Sequence, residues 1–512
     1  MDLSAAGIQT SFGVLDWCIV AGYVLFVVAV GVYIRRYISN VTDFMVAGRG
    51  LKTFLAVATM IGTELGLVTV MYSAQKGFTG GFAAFHIALA SAIVSLVVGL
   101  TGFIVVPLRR MEVMTIPEFY EKRFGHGVRI LGGIILAFSG ILNMGMFLKA
   151  SSLFIMGVTG LTSDIHLKII MTALLAMVLL YTSLGGMVSV VVLDYIQFVI
   201  LSFSLLVATV LSIRYLGWGN IIDTVSALKG EAGFNPFHSE GFGTSYVVWM
   251  FFLGLVNCAI WQTAVIRACS ADSIKTVKRL YTFASVGFLI RFLIPYFLGI
   301  SAFVFIAQHE ALKKLFLPDD GTADPQATLM AMPVFLSQIL PVGVIGIVTA
   351  GMLAAFMSTH DSYLLCWSSV LTQDVVAPWF KGGLSSKTRV LLTRIFIVAI
   401  GIFTLVWGLW YDLGQDLWDY MAISGAIYFT GAIALLVLGL YWKPASKVGA
   451  YLSLICGFGA FLGLKPVQDR LGINVSSAVV GLVVIALAMT LMVVGSLLFP
   501  DRGASVIRSK QT

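Results

Sequence analysis

Residues 351–361 read Gly-Met-Leu-Ala-Ala-Phe-Met-Ser-Thr-His-Asp, and they lie deep inside an apolar segment running from 334 to 371. Four consecutive polar side chains, Ser358, Thr359, His360 and Asp361, are costly at such depth unless they face a protein interior or a water-filled path. Taken alone, Ser358 and Thr359 read as hydroxyls bonded to the carbonyl four residues back. Asp361 lies three residues on from Ser358, nearly on the same helix face, and tips the reading towards function. Two adjacent hydroxyls with small residues one turn earlier offer hard oxygen ligands to a small cation. A lone histidine is more often a core residue than a ligand; beside Asp361, His360 forms a possible second cation or proton site.

Working outward, the rest of the chain is of the same kind. Of its 512 residues 59% are hydrophobic and 11% charged, where soluble domains carry about 25% charged residues. The chain therefore reads as an all-α polytopic membrane protein with no room for a large soluble domain. Thirteen helices are predicted, at 14–34, 51–72, 81–107, 128–158, 166–183, 187–213, 245–268, 280–307, 334–371, 390–410, 415–440, 446–464 and 475–499. The first is a leading helix; the others are helices 1 to 12. With the N-terminus outside and the path alternating, 22 of the 32 basic residues fall on the inner side and eight outside. That bias supports an odd helix count and a cytoplasmic C-terminus. It also explains the net charge of +8 without nucleic acid. Residues 1–13 hold no Lys or Arg, so no cleavable signal is expected there. The five cysteines form no CxxC and read as packing residues.

Two mid-span segments are interrupted by glycine and polar residues. Helix 1 carries Gly62-Thr63-Glu64-Leu65-Gly66, and helix 6, five helices later, carries Gly254, Asn257, Trp261 and Gln262. Matching interruptions in two halves of a transporter point to broken helices around a binding site. Glu64 reads either as the place where cation and solute sites meet or as a structural acid paired with Lys149 or Arg291. Lys149 reads as the holder of a solute carboxylate or as the neutraliser of Glu64. Asp194, with Gln197 one turn on, follows a Gly185-Gly186 pair expected to make a tight turn between helices 4 and 5. It reads as a carboxylate on a cation's exit path or as an interfacial acid. His86, Asn143, Trp261, Gln262 and Tyr428 complete the candidate solute residues. No Walker loop, HExxH or GxSxG occurs, so nothing reads as an enzyme.

Four stretches then carry a resemblance. They are Asp43-Phe-Met-Val-Ala-Gly-Arg-Gly-Leu51, Thr115-Ile-Pro-Glu-Phe-Tyr-Glu-Lys-Arg-Phe124, Tyr181-Thr-Ser-Leu-Gly-Gly186 running to Asp194-Tyr-Ile-Gln197, and Ala354-Ala-Phe-Met-Ser-Thr359. Together they resemble the sodium:solute symporters, over about residues 16 to 450. The resemblance implies a LeuT-type core of two inverted five-helix repeats. The expected boundaries are 1–50 for the outer N-terminus, leading helix and inner loop, 51–213 and 214–440 for the repeats, and 441–512 for two trailing helices. It implies alternating access in a cell membrane, importing a small organic solute with sodium as coupling ion. No obligatory protein partner is readable. By the match, sodium would be held by carbonyls of Gly62, Leu65 and Ala355 and by the hydroxyls of Ser358 and Thr359, with Asp194 near its exit. Glu64 stands where several members have Asp and others a neutral residue. His360-Asp361 is not a general family feature. Lys149 hints at a carboxylate-bearing solute. The competing readings are a proton-coupled symporter of the same fold, a cation channel and a membrane sensor.

Overall fold

Apolar chains that must satisfy every backbone N–H and C=O internally cross a membrane as helices or as closed barrels. The computed structural model takes the helical course. It describes residues 10–34, 50–161, 163–239, 241–318, 324–380, 383–411 and 414–501, with backbone alone for 31, 32, 34, 181 and 183–192. Among the described residues there is no strand, only one isolated bridge between Leu51 and Ala271. The leading helix is α1 (Val14–Ile34). Helix 1 is split into α2 (Thr53–Glu64) and α3 (Leu67–Gly80), followed by α4 (Phe85–Thr101) and the short α5 (Ile116–Phe124). Next come α6 (His126–Met144), α7 (Phe147–Thr159) and α8 (Asp164–Leu216). Helix 6 is split into α9 (Gly243–Leu255) and α10 (Gln262–Ser270), ahead of α11 (Ile274–Ala307). The remainder are α12 (Pro325–Ile339), α13 (Val344–Val370), α14 (Ser386–Trp410), α15 (Leu417–Tyr441), α16 (Lys447–Cys456) and α17 (Ser477–Leu498).

Nine helices among the described residues are long and apolar enough to span a membrane, ten with the bent pair Lys447–Gly463 and Lys465–Leu471. Part of the difference from thirteen is local. Among the described residues α1 counts only as the shorter apolar helix Val14–Val30, although the element runs on to Ile34. The run Leu67–Thr101 passes as one stretch, although Gly81 turns the chain inside it at φ +62°. Predicted helices 4 and 5 form the single element α8. The backbone stays helical through Gly185-Gly186, because glycine costs a helix only about 1 kcal/mol and does not compel a turn. At about 1.5 Å per residue its 53 residues amount to about 80 Å of helix, of which Leu193–Leu216 is the part counted as a span.

A further correction concerns predicted helix 8. The stretch 334–371 is broken before Val344: α12 ends at Ile339, and Pro341 and Gly343 (φ +87°) intervene. Proline removes a donor and disfavours helix in the residue before it. Asp16 of the leading helix, fully buried, caps the new start. Its Oδ1 accepts from the N–H groups of Gly343 and Gly346, both at 2.8 Å, and Oδ2 from Gly13 at 2.8 Å. A carboxylate at a helix N-terminus is favoured by the unpaired N–H groups there. The helices most enclosed by protein are α13, α15 and α11, while α14 and α17 lie at the rim. Close crossings need glycine: a Cβ at Gly299 of α11 would stand 1.9 Å from the Ala74 carbonyl of α3.

Candidate functional site

The break in helix 1 frees backbone oxygens. Leu65 (φ −95°, ψ 63°) and Gly66 (φ −78°, ψ 164°) leave helical geometry between α2 and α3. The last carbonyls of a helix have no partner within it. Thr359 Oγ1 donates to the Thr63 carbonyl at 2.8 Å and Thr69 Oγ1 to the Glu64 carbonyl at 3.0 Å. The carbonyls of Gly62 and Leu65 take part in no turn, cap or side-chain hydrogen bond among the described residues. Gly66 has to be glycine, because a Cβ there would lie 2.2 Å from Thr359 Oγ1. Ala355 is buried one turn before Ser358 and Thr359 on α13.

Asp194 of α8 lies beside this break, fully buried. Its Oδ2 accepts from Thr59 Oγ1 at 2.6 Å and Thr63 Oγ1 at 3.0 Å, and its Oδ1 from Ser358 Oγ. Arg267 of α10 approaches Oδ2 at 3.5 Å. Its Nη2 also donates to Ser362 Oγ at 2.8 Å and to Thr63 Oγ1. Gly62 permits the close approach of α2 and α8, since a Cβ would be 3.2 Å from the Asp194 carbonyl. The structure thus gathers Gly62, Leu65, Ser358, Thr359 and Asp194 in one place. Arg267, which sequence reading does not single out, joins them.

Beside this cluster, at the two helix breaks, lies a small cavity of about 60 Å³. Helix 6 loosens into a wide turn over Val256–Ile260 and leaves helical geometry at Trp261. Asn257 and Trp261 face the cavity, with Trp261 Nε1 donating to Tyr363 Oη at 3.2 Å. Glu64 and Arg291 share the wall, Nη1 to Oε2 at 3.3 Å. Thr263 Oγ1 donates to the other Glu64 oxygen at 3.0 Å. Phe288 and Phe292 flank the guanidinium at 4.5 and 4.4 Å, a favourable cation–π setting. Asn143 also lines the cavity, its amide donating to the Met421 carbonyl at 2.7 Å. Tyr72, Phe147, Trp418 and Phe429 supply aromatic surface.

Four expected solute residues lie elsewhere. Lys149 donates to the Tyr411 carbonyl at 2.7 Å and does not line the cavity. His86 Nδ1 sits 2.6 Å from the Ala83 carbonyl, with its ring against Phe242. Gln262 ties down α5: its Oε1 accepts from Ile116 N–H at 2.9 Å and its Nε2 faces the Met114 carbonyl at 3.3 Å. The Tyr428 hydroxyl is 2.8 Å from that of Tyr120 on α5. His360 is fully buried between Phe147 and Phe356, and its ring nitrogens have no hydrogen-bond partner among the described residues. Asp361 is buried on the side of Tyr23 of the leading helix.

Two further polar ties join distant segments. In the first, Lys76 of α3 pairs with Asp416 at 2.8 Å and Asp419 at 2.9 Å, either side of Trp418. In the second, Asp374 accepts from Thr115 Oγ1 and Arg129 Nε, both at 2.9 Å. Arg129 also pairs with Glu121 of α5. Glu121 feels some burial, which raises its pKa, but His126 and Arg129 outweigh this and hold it below its ordinary value. Sequence reading missed these ties. Each residue looks like an ordinary loop or helix-end charge, and no spacing pairs residues more than 200 apart.

A family model described as "Sodium:solute symporter family" matches residues 44–457. The chain belongs to this family. Among similar relatives, the sodium/glucose cotransporter of Vibrio parahaemolyticus is 24% identical over 494 residues, covering 90% of this chain and 88% of the relative. The sodium/sialic acid symporter of Proteus mirabilis is 24% identical over 473 residues, with 90% and 91% covered. A solved structure of a Na+-coupled sialic acid symporter in its substrate-bound outward-open state superposes with TM-score 0.80. It is 20% identical, and 96% of this chain and 99% of that one are covered. The shared fold is the expected LeuT-type arrangement. The protein is a multi-pass membrane transporter, not an enzyme, and as a family member couples a small solute to sodium. The channel, sensor and proton-coupled readings are not favoured.

Proposed function

We propose that this transporter imports a compact polar solute of no net charge, bound in the cavity against Glu64, Arg291, Asn143, Asn257 and Trp261. One sodium is held by the carbonyls of Gly62, Leu65 and Ala355 and the hydroxyls of Ser358 and Thr359, and Asp194 receives it on the way inward. The observation that carries this reading is the cavity itself: it sits at both helix breaks, with the Glu64–Arg291 pair in its wall and Thr359 closing onto the first break. The carboxylate-bearing solute suggested by Lys149 loses that support, since Lys149 lies outside the cavity. Arg291 could hold a carboxylate, but Glu64 beside it would repel a bare anion by about 3 kcal/mol at ~5 Å. A zwitterion or a neutral hydroxylated solute satisfies both charges. The division into 1–50, 51–213, 214–440 and 441–512, an outside N-terminus, a cytoplasmic C-terminus and a cell-membrane location belong to the same proposal. His360 and Asp361 have no part in it.

The coupling is energetically adequate. One charge crossing 100 mV releases about 2.3 kcal/mol, between one and two tenfold steps of solute gradient. The test is uptake into proteoliposomes of labelled sugars, amino acids, carboxylates and vitamins, with an inward sodium gradient or potassium in its place. Sodium-dependent accumulation of a net-neutral solute is expected. Accumulation of anions alone would overturn the charge-balance reading, and accumulation driven only by a proton gradient would overturn the sodium assignment.

A further inference from the structure

A second concavity, sharing no lining residue with the solute cavity, lies on the face that carries most of the basic loops. It opens between the end of α4, the short helix Val105–Arg110, the start of α11 and the end of α15, with a volume of about 570 Å³. Arg110, Lys275, Lys278 and Arg279 line it, and no carboxylate does. None of these four cations forms an ion pair among the described residues. The general excess of basic residues on one side of a membrane protein accounts for their sign. It does not account for their convergence from two chain segments on one groove.

The groove is built rather than incidental. The Tyr441 ring stacks on Phe103 with centroids 5.5 Å apart, and its hydroxyl accepts from the Ile104 N–H at 3.2 Å. The stem of Lys278 crosses Gly102, where a Cβ would stand 3.2 Å from its Cε, and Nζ lies 3.4 Å from the Leu100 carbonyl. Val106, Pro107 and Ile274 form an apolar floor. Away from the groove, Val97 and Leu100 on α4 and Phe283 and Val286 on α11 are exposed. Cations at the start of α11 and on the short helix after α4 therefore adjoin apolar surface along both α4 and α11. A free anion would use only the first; an amphiphile with a negative head and acyl chains matches both.

We propose that this groove binds an anionic phospholipid, with its phosphate among Arg110, Lys275, Lys278 and Arg279 and its acyl chains along α4 and α11. Basic pockets between membrane helices are suited to such headgroups. A bound lipid would bridge the ends of α4 and α11 to the end of α15. Its placement in the inner leaflet rests on the orientation proposed above; the binding itself does not.

The test uses the full-length protein in nanodiscs of phosphatidylcholine with a minor fraction of phosphatidylglycerol, reading retained phosphatidylglycerol by native mass spectrometry. Each basic residue near a membrane surface is worth about fivefold in affinity. The variant K275Q/K278Q/R279Q is expected to lose about 100-fold, and the single variants K275Q and K278Q about fivefold each, which keeps the proposal testable if the triple variant fails to fold. K387Q/K443Q/K447Q removes three exposed cations outside the groove and is expected to retain the lipid. Equal retention by both triple variants would overturn the proposal. So would displacement of the lipid by excess inorganic phosphate, which would reassign the groove to free anions.

Discussion

Removing one half of the Glu64–Arg291 pair tests the charge balance of the cavity most directly. Nη1 of Arg291 stands 3.3 Å from Oε2 of Glu64, and both side chains are buried. At that separation two unit charges attract by about 5 kcal/mol at an effective dielectric constant near 20. Taking one partner from a buried pair typically costs about 3–5 kcal/mol, because the other is left uncompensated. The cavity admits some water, so the lower end applies. Glu64→Gln keeps the shape and can still accept from Thr263. We expect E64Q and R291Q each to lower stability by about 3 kcal/mol, and E64Q/R291Q to lose at least about 2 kcal/mol less than their sum. For a net-neutral solute the same 3 kcal/mol is about a 100-fold loss of affinity in E64Q; an anionic analogue, facing a cavity now positive, would lose far less. Unfolding of detergent-solubilised protein and direct solute binding supply the two readouts. Effects that add within about 0.5 kcal/mol, or wild-type affinity in E64Q, would refute the reasoning.

Four further outcomes follow from the geometry. Ser358→Ala with Thr359→Ala removes the two hydroxyls proposed as sodium ligands, worth about 1.5 kcal/mol each, and should raise the sodium concentration for half-maximal uptake by more than about tenfold; unaltered sodium dependence would count against the site. Gly66→Ala places a methyl 2.2 Å from Thr359 Oγ1 and should cost sodium affinity by the same readout while leaving the double mutant's defect no worse. Asp16→Ala strips the cap from Gly343 and Gly346 and should destabilise by about 1–3 kcal/mol, measured by thermal unfolding, with Asp16→Asn losing less. Glu121 has a folded-state pKa below its ordinary 4.5, so its stabilisation is present above that value and is lost as pH falls through the lower folded one. Melting temperature against pH should show this acid limb in wild type and a weaker one in Glu121→Gln, with the Glu121 contribution full and constant between about pH 6 and 8.

The site was unequally legible. Glu64, Trp261 and Asn143 were found because polar residues and glycine in mid-span are expensive, and expense marks a cavity. Thr359 and Gly66 were found for the same reason, though not that one fits only because the other lacks a Cβ. Lys149 and Arg291 read as equal candidates to pair with Glu64; which of two buried cations reaches it depends on helix rotation, and hydropathy carries no rotation. Gln262 belongs to the polar interruption of helix 6 and so reads as a solute residue, yet one residue of helix turns a side chain by about 100°, and it bonds to Ile116 N–H and the Met114 carbonyl instead. Gly185-Gly186 suggested a turn that the backbone does not need, and Pro341 marked a break inside what hydropathy read as one helix.

Membrane residence and the helical class were legible in the sequence alone, and the two interrupted helices were pointed to by it, because recurring apolar runs of about 20 residues suit helices rather than barrel strands and hydrocarbon penalises every polar residue it contains. The pairing of Glu64 with Arg291, of Asp194 with Arg267, of Asp16 with a helix start more than 300 residues away, and the convergence of four cations on one groove were decided by tertiary structure. These are contacts between segments distant in the chain, and they exist only once packing has chosen which face of each helix meets which neighbour.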